Sequence, residues 1–192
     1  MEMKEIAQTV IDQFALDLKG THGIPHWARV MENGRRLCDL NGANRKVVDL
    51  FALFHDSKRE NEWEDMLHGE RGAEYADEMQ KHLNLTDSEL ELLMIACTDH
   101  SKGYTEGDIT VRTCWDSDRL DLGRILIAPD PFRLCTDAAK TQEVRDWAYK
   151  KALAHKIPWA IIEEWGCSHM RFRGHKSFFW KTLGSIKRVI AG

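Results

Sequence analysis

The chain has 192 residues, of which 43% are hydrophobic and 30% charged, with a net charge of −4. That balance suits one ordinary folded domain with a core of its own and excludes a disordered chain. No apolar run approaches the ~20 residues of a membrane span, and the acidic balance removes any bulk-charge argument for nucleic acid.

The N-terminus has acids among its first residues and no apolar leader pattern, so no signal peptide is expected. Ile6, Val10, Phe14 and Leu18 recur every four residues and predict an amphipathic first helix that ends at Gly20. A second helix is expected from about His26, after Pro25, with Trp27, Val30, Met31, Gly34, Leu37 and Cys38 on one face and Asn41-Gly42 at its end. A third runs from about Asn44 through Val47, Val48, Leu50, Phe51 and Phe54. It is apolar on most sides, so it should be central and buried, and it ends in His55-Asp56.

Residues 57–67 read as a polar loop, and 69–82 as a helix. Thr86 and Glu89 form a capping box for a helix that ends at Asp99-His100. Gly103 and Gly107 mark a loop, and a further helix is expected from Ile109 to Leu122-Gly123. Ala128-Pro129-Asp130-Pro131 is a break. One long polar helix is expected from Asp137 to His155, followed by a Trp-rich terminal segment. There is no strand alternation, so the fold class is all-α.

Five cysteines, Cys38, Cys97, Cys114, Cys135 and Cys167, are odd in number and never paired as CxxC. They read as reduced thiols of a cytoplasmic protein, several buried as small hydrophobes.

The informative histidines sit at helix ends. His26 starts one helix, His55 ends another, His68 starts one and His100 ends one. Charged groups at the end of an apolar helix are costly to bury unless paired or metal-bound. Imidazole with carboxylate suits Mn, Fe, Co, Ni or Zn. Adjacent His55 and Asp56 would lie about 100° apart in mid-helix, but at a terminus both can turn toward one ion.

The order His26, His55-Asp56, Asp118 resembles that of the HD-domain superfamily of metal-dependent phosphohydrolases. Three stretches carry the resemblance: His26-Trp27-Ala28-Arg29-Val30, Leu50-Phe51-Ala52-Leu53-Phe54-His55-Asp56, and Asp116-Ser117-Asp118-Arg119-Leu120-Asp121. The last resembles the family's D-A-D-R-L-D motif with Ser for Ala. The resemblance covers about residues 22–123, while 124–192 match nothing recognised and are expected to form a helical extension packed on that core within one domain.

The resemblance implies an HD-domain-like helical bundle holding a divalent metal through His26, His55, Asp56 and Asp118. Two-metal members add two histidines, and His68 and His100 resemble them, so one ion or two are open. A metal lowers the pKa of bound water and polarises a phosphoryl oxygen. Asp56 or Asp118 can orient the water, and His68 or His100 can protonate the leaving oxygen or bind phosphate. Lys58, Arg59 and Arg119 are the nearest cations for substrate phosphate, and Glu60 is a spare acid for proton relay. Taken singly, each of these residues reads as a cap, an ion pair or a solvated charge. Taken as an ordered set, the histidines and aspartates read as a metal site, while Asp121 reads as a residue that caps or braces its helix.

The expected substrate is a small phosphorylated metabolite, a nucleotide first. A di-iron oxygenase and a non-catalytic nucleotide-binding module are the alternatives. His22, His82, His155, His169 and His175 read as surface or capping residues. The aromatic tail (Trp159, Trp165, Phe172, Phe178, Phe179, Trp180) should pack on the core or on a second copy of the chain, making a homo-oligomer. Its interleaved basic residues also permit a nucleic-acid surface, which the acidic balance disfavours.

Overall fold

The computed structural model describes residues 1–172. Its regular structure is helical, with no strand among the described residues, and no helix among them is long and apolar enough to cross a membrane. Helix α1 spans Met3–Asp12, α2 Ile24–Asn41, α3 Arg45–Phe54, α4 His68–Glu78, α5 Gln80–Leu83, α6 Asp87–Asp99 and α7 Ile109–Arg119. After two short 3-10 turns, Leu122–Ile125 and Pro131–Arg133, come α8 Asp137–Lys140, α9 Gln142–Leu153 and α10 Trp159–Glu164.

Helix α3 is the centre of the bundle. The Asn44 side chain caps it by accepting from the Lys46 and Val47 amides. Leu50, Phe51, Leu53 and Phe54 are fully buried, each contributing roughly 1.5–3 kcal/mol of apolar burial. Helix α2 packs on α3 and α7, and α6 packs on α3 and α4. The ends of α3, α6 and α7 meet the starts of α2 and α4 at one end of the bundle. That convergence places His26, His55, His68, His100 and Asp118 together.

Two glycines make the approach of α4 possible. A Cβ on Gly69 would lie 2.4 Å from the Cys97 carbonyl oxygen, and one on Gly72 would lie 2.5 Å from that of Phe54. The spacing His68-Gly69-x-x-Gly72 thus lets α4 lie against the ends of α6 and α3, with His68 turned inward.

Several boundaries differ from the sequence expectation. The first helix ends at Asp12 instead of Gly20. Phe14 leaves the helical path to pack edge-to-face on Trp27, 4.9 Å between centroids, and the Leu18 carbonyl accepts from the Ile24 amide at 2.9 Å. A tertiary contact overrides the four-residue period. The segment expected as one helix over 69–82 is broken at Met79. Helix α7 stops at Arg119 and gives way to a 3-10 turn. The long helix expected from Asp137 is split at Thr141, whose hydroxyl accepts from the Val144 amide and caps α9.

Residues 124–172 pack on the rest: α9 lies against the Leu122–Ile125 turn, and α10 against α2. Trp165 is fully buried, whereas Trp159 is half-exposed and touches Phe172. The remaining tail aromatics, Phe178, Phe179 and Trp180, and His175, lie outside the described residues.

Candidate metal centre

His26 occupies the first turn of α2, His55 caps the end of α3, and Asp56 follows it. His68 opens α4, His100 caps the end of α6, and Asp118 is in the last turn of α7. Two groups of ligand atoms result, His26–His55–Asp118 and Asp56–His68–His100, each with atoms within 4.8 Å of one another. Asp56 lies between the groups. Its Oδ2 is 3.5 Å from Nε2 of both His26 and His55. Its Oδ1 is 3.4 Å from His68 Nε2 and 3.7 Å from His100 Nε2. On the other side, Asp118 Oδ1 is 3.4 Å from His26 Nε2.

The ring protons are assigned by their partners. His26 Nδ1 faces Asp121 Oδ2 at 2.7 Å, and His55 Nδ1 faces the Phe51 carbonyl at 3.1 Å. His68 Nδ1 faces the Asp65 carbonyl, and His100 Nδ1 the Cys97 carbonyl at 2.7 Å. Carbonyls and ionised carboxylates only accept, so all four rings donate through Nδ1. In the neutral rings, every Nε2 then carries a bare lone pair. Yet His26 and His55 Nε2 are 3.2 Å apart, and those of His68 and His100 are 2.9 Å apart. Lone pairs at such distances repel unless a proton or a metal cation lies between them. Four imidazole nitrogens aimed inward, each ring held by its other nitrogen, with two carboxylates, form a donor set that fits divalent transition metals.

The electrostatics agree. Burial pushes His55 down to about 3, so its ring is neutral. Burial also lowers His68, assisted by His100. Burial alone would raise Asp56, but the surrounding imidazoles of His55, His100 and His26 together hold the carboxyl well below the usual range. Asp118 is likewise held low against burial, by His26 and Arg124. His100 moves the other way: burial opposes its charge, and Asp56 outweighs it.

Asp121 braces the centre. It accepts a hydrogen bond from His26 Nδ1 and pairs with Arg29, Nε to Oδ1 at 2.6 Å and Nη2 to Oδ2 at 3.1 Å. Burial opposes its charge, but Arg29 and His26 bring the carboxyl down to about 2. Asp116 is buried and accepts from the Cys135 and Thr136 amides at 2.7 and 2.8 Å, tying the following segment to α7.

The expected substrate cations have protein partners, and Arg59 finds its partner within the centre. Lys58 Nζ sits 3.8 Å over the Tyr75 ring. Arg59 donates to Asp56 at 3.3 Å and to the Trp63 carbonyl at 3.0 Å. Arg119 donates to the Arg133 and Tyr104 carbonyls. Glu60 is exposed, 3.8 Å from Arg71. All five cysteines are free and buried; burial pushes the thiols up, Cys38 to about 11 and Cys135 to about 12, so neither is a ready nucleophile.

Two features escaped the sequence reading. His22 is neither a surface nor a capping residue. Its Nδ1 lies 2.6 Å from Glu62 Oε2, and its ring stands edge-on to His26. Arg124 Nη1 is 4.0 Å from Asp118 Oδ1, and its Nε donates to the Thr21 carbonyl. The i, i+4 spacing of His22 and His26 was the available signal for the first. Arg124 had none.

No family model matches the chain, and no curated protein matches it by sequence. Among solved structures, the chain is similar to a predicted HD superfamily hydrolase from an uncultured Thermotogales bacterium, at 22% identity and a TM-score of 0.59. The likeness covers 85% of this chain and 91% of that one. The protein therefore has the all-α HD-domain fold.

Proposed function

We propose that the protein is a metal-dependent phosphohydrolase with a two-ion centre, acting on a small phosphorylated metabolite, with a nucleotide the first to test. One observation carries this reading: two pairs of facing Nε2 atoms, 3.2 and 2.9 Å apart, with Asp56 presenting one carboxylate oxygen to each pair. His26, His55 and Asp118 would hold one ion, His68 and His100 the other, and Asp56 would serve both. Bound divalent ions lower the pKa of water and polarise a phosphoryl oxygen.

The remaining work falls to this chain's own side chains. In hydrolysis, a water oxygen forms a bond to phosphorus while the bond to the leaving oxygen breaks, and that oxygen must take a proton. With Nδ1 of His68 and His100 spent on carbonyls, His22 is the better donor. Glu62 holds its Nδ1, and its Nε2 has no protein partner among the described residues. Asp118, the more exposed carboxylate of the pair, orients the water and accepts its proton.

The test is elemental analysis of the full chain and of Asp56→Ala, followed by phosphate release from a panel of nucleotides and other phosphate esters. Two ions per chain, both weakened in the variant, with phosphate released, is the expected result. No bound metal after incubation with Mn, Fe, Co, Ni or Zn would refute the reading.

A further inference from the structure

Three segments start at groups of the centre or at a neighbour of one. The 57–67 loop runs from Asp56 to His68, the next from His100 to α7, and a third follows the 3-10 turn that carries Arg124. These segments expose large apolar side chains: Trp63, Met66, Leu67, Tyr104, Leu126 and Ile127. Trp63 is 85% exposed, although its own carbonyl is held by Arg59, the partner of Asp56. An exposed tryptophan on an anchored backbone is positioned for contact. Leu126 is exposed on a left-handed backbone, φ 67°, a conformation that disfavours a branched side chain. It lies two residues after Arg124, whose Nη1 is 4.0 Å from Asp118 Oδ1.

The charges tell the complementary story. Lys58, Arg59, Arg119 and Arg124 are each spent on protein partners. A polyphosphate chain would need cations that these side chains have already committed.

We infer that this rim recognises the organic part of the substrate by apolar contact, so that the preferred substrate is a phosphomonoester of an aryl-bearing or otherwise bulky apolar alcohol and not a polyphosphate. The inference rests on the phosphohydrolase reading for its reaction, and on the exposed side chains for its selectivity.

The two can fail separately. Binding of 2-phenylethylphosphonate and ethylphosphonate to the full chain is measured by calorimetry, and hydrolysis is compared for the two matching phosphate esters, whose alcohols leave similarly. The phenyl compounds should win by about tenfold in affinity and in kcat/KM, the value of one ring partly removed from water. Trp63→Ala and Leu126→Gly should each erode that preference several-fold, read as the ratio of phenyl to ethyl compounds; glycine adopts the left-handed backbone freely, so the second variant keeps its fold. Phosphonate preference without hydrolysis of either ester would sustain the rim and sink the hydrolase reading. Equal binding of the two phosphonates, binding of neither, or a preference for tripolyphosphate over both overturns the inference. So does a preference untouched by the variants, or a light-scattering mass that the variants reduce, which would assign the rim to contact between copies.

Discussion

Asp121→Asn tests the brace with almost no change in volume. The native carboxylate is 1% exposed, accepts from His26, and neutralises Arg29, itself buried. Its carboxyl is held at about 2, against an ordinary value of 3.8, a gap worth roughly 2–3 kcal/mol at pH 7. Leaving a buried arginine without its counter-charge gives a similar or larger figure, about 3–5 kcal/mol. The folded value is depressed, so this stability is fully present above the unfolded value. It is lost as pH falls toward 2, and is about halved near pH 3. Urea unfolding of chelator-treated protein should therefore show the variant weaker by about 3 kcal/mol at pH 7, with the gap narrowing by about half at pH 3. The variant should also bind metal about 10–100-fold more weakly, because Asp121 orients His26. A loss below about 1 kcal/mol at pH 7, where a buried ion pair should cost more, or a gap that does not narrow in acid, would refute the reasoning.

Gly72→Ala places a Cβ 2.5 Å from the Phe54 carbonyl oxygen and should cost about 1–3 kcal/mol, seen as a lowered Tm. His22→Ala and Glu62→Gln should slow hydrolysis of alkyl phosphates about 100-fold or more while sparing p-nitrophenyl phosphate, whose leaving group needs no proton; equal losses on both substrates would remove His22 as the donor. Chelation should lower the Tm of the wild type by the linkage of bound ions to folding. It should leave the Tm of His55→Ala with Asp56→Ala unmoved, and a wild type indifferent to chelator would count against the centre.

The legible part of the fold was local. The apolar period of α3 marked it as central, and Leu50, Phe51, Leu53 and Phe54 are all buried. The Thr86–Glu89 capping box opened α6 where expected, and Asn41-Gly42 closed α2, with Gly42 left-handed at φ 74°. Boundaries were missed where a competing contact lay outside the local period. Phe14 follows Trp27 instead of its own helix, and Thr141 caps the next helix instead of continuing one. The 57–67 loop read as polar from its charges, yet many of those charges turn inward to partners while Trp63, Met66 and Leu67 face out.

The histidines and aspartates of the centre were named from sequence because their residue types and order are local text. That text alone determined the helical class and the donor chemistry. Only the tertiary structure decided how the donors are shared out: Asp56 between two groups, Asp121 behind His26 from 95 positions away, and Glu62 on His22 from 40 away. Periodicity reports which face of a helix is buried, but not which distant side chain meets it there. Those partners are chosen when the ends of five helices are packed against one another.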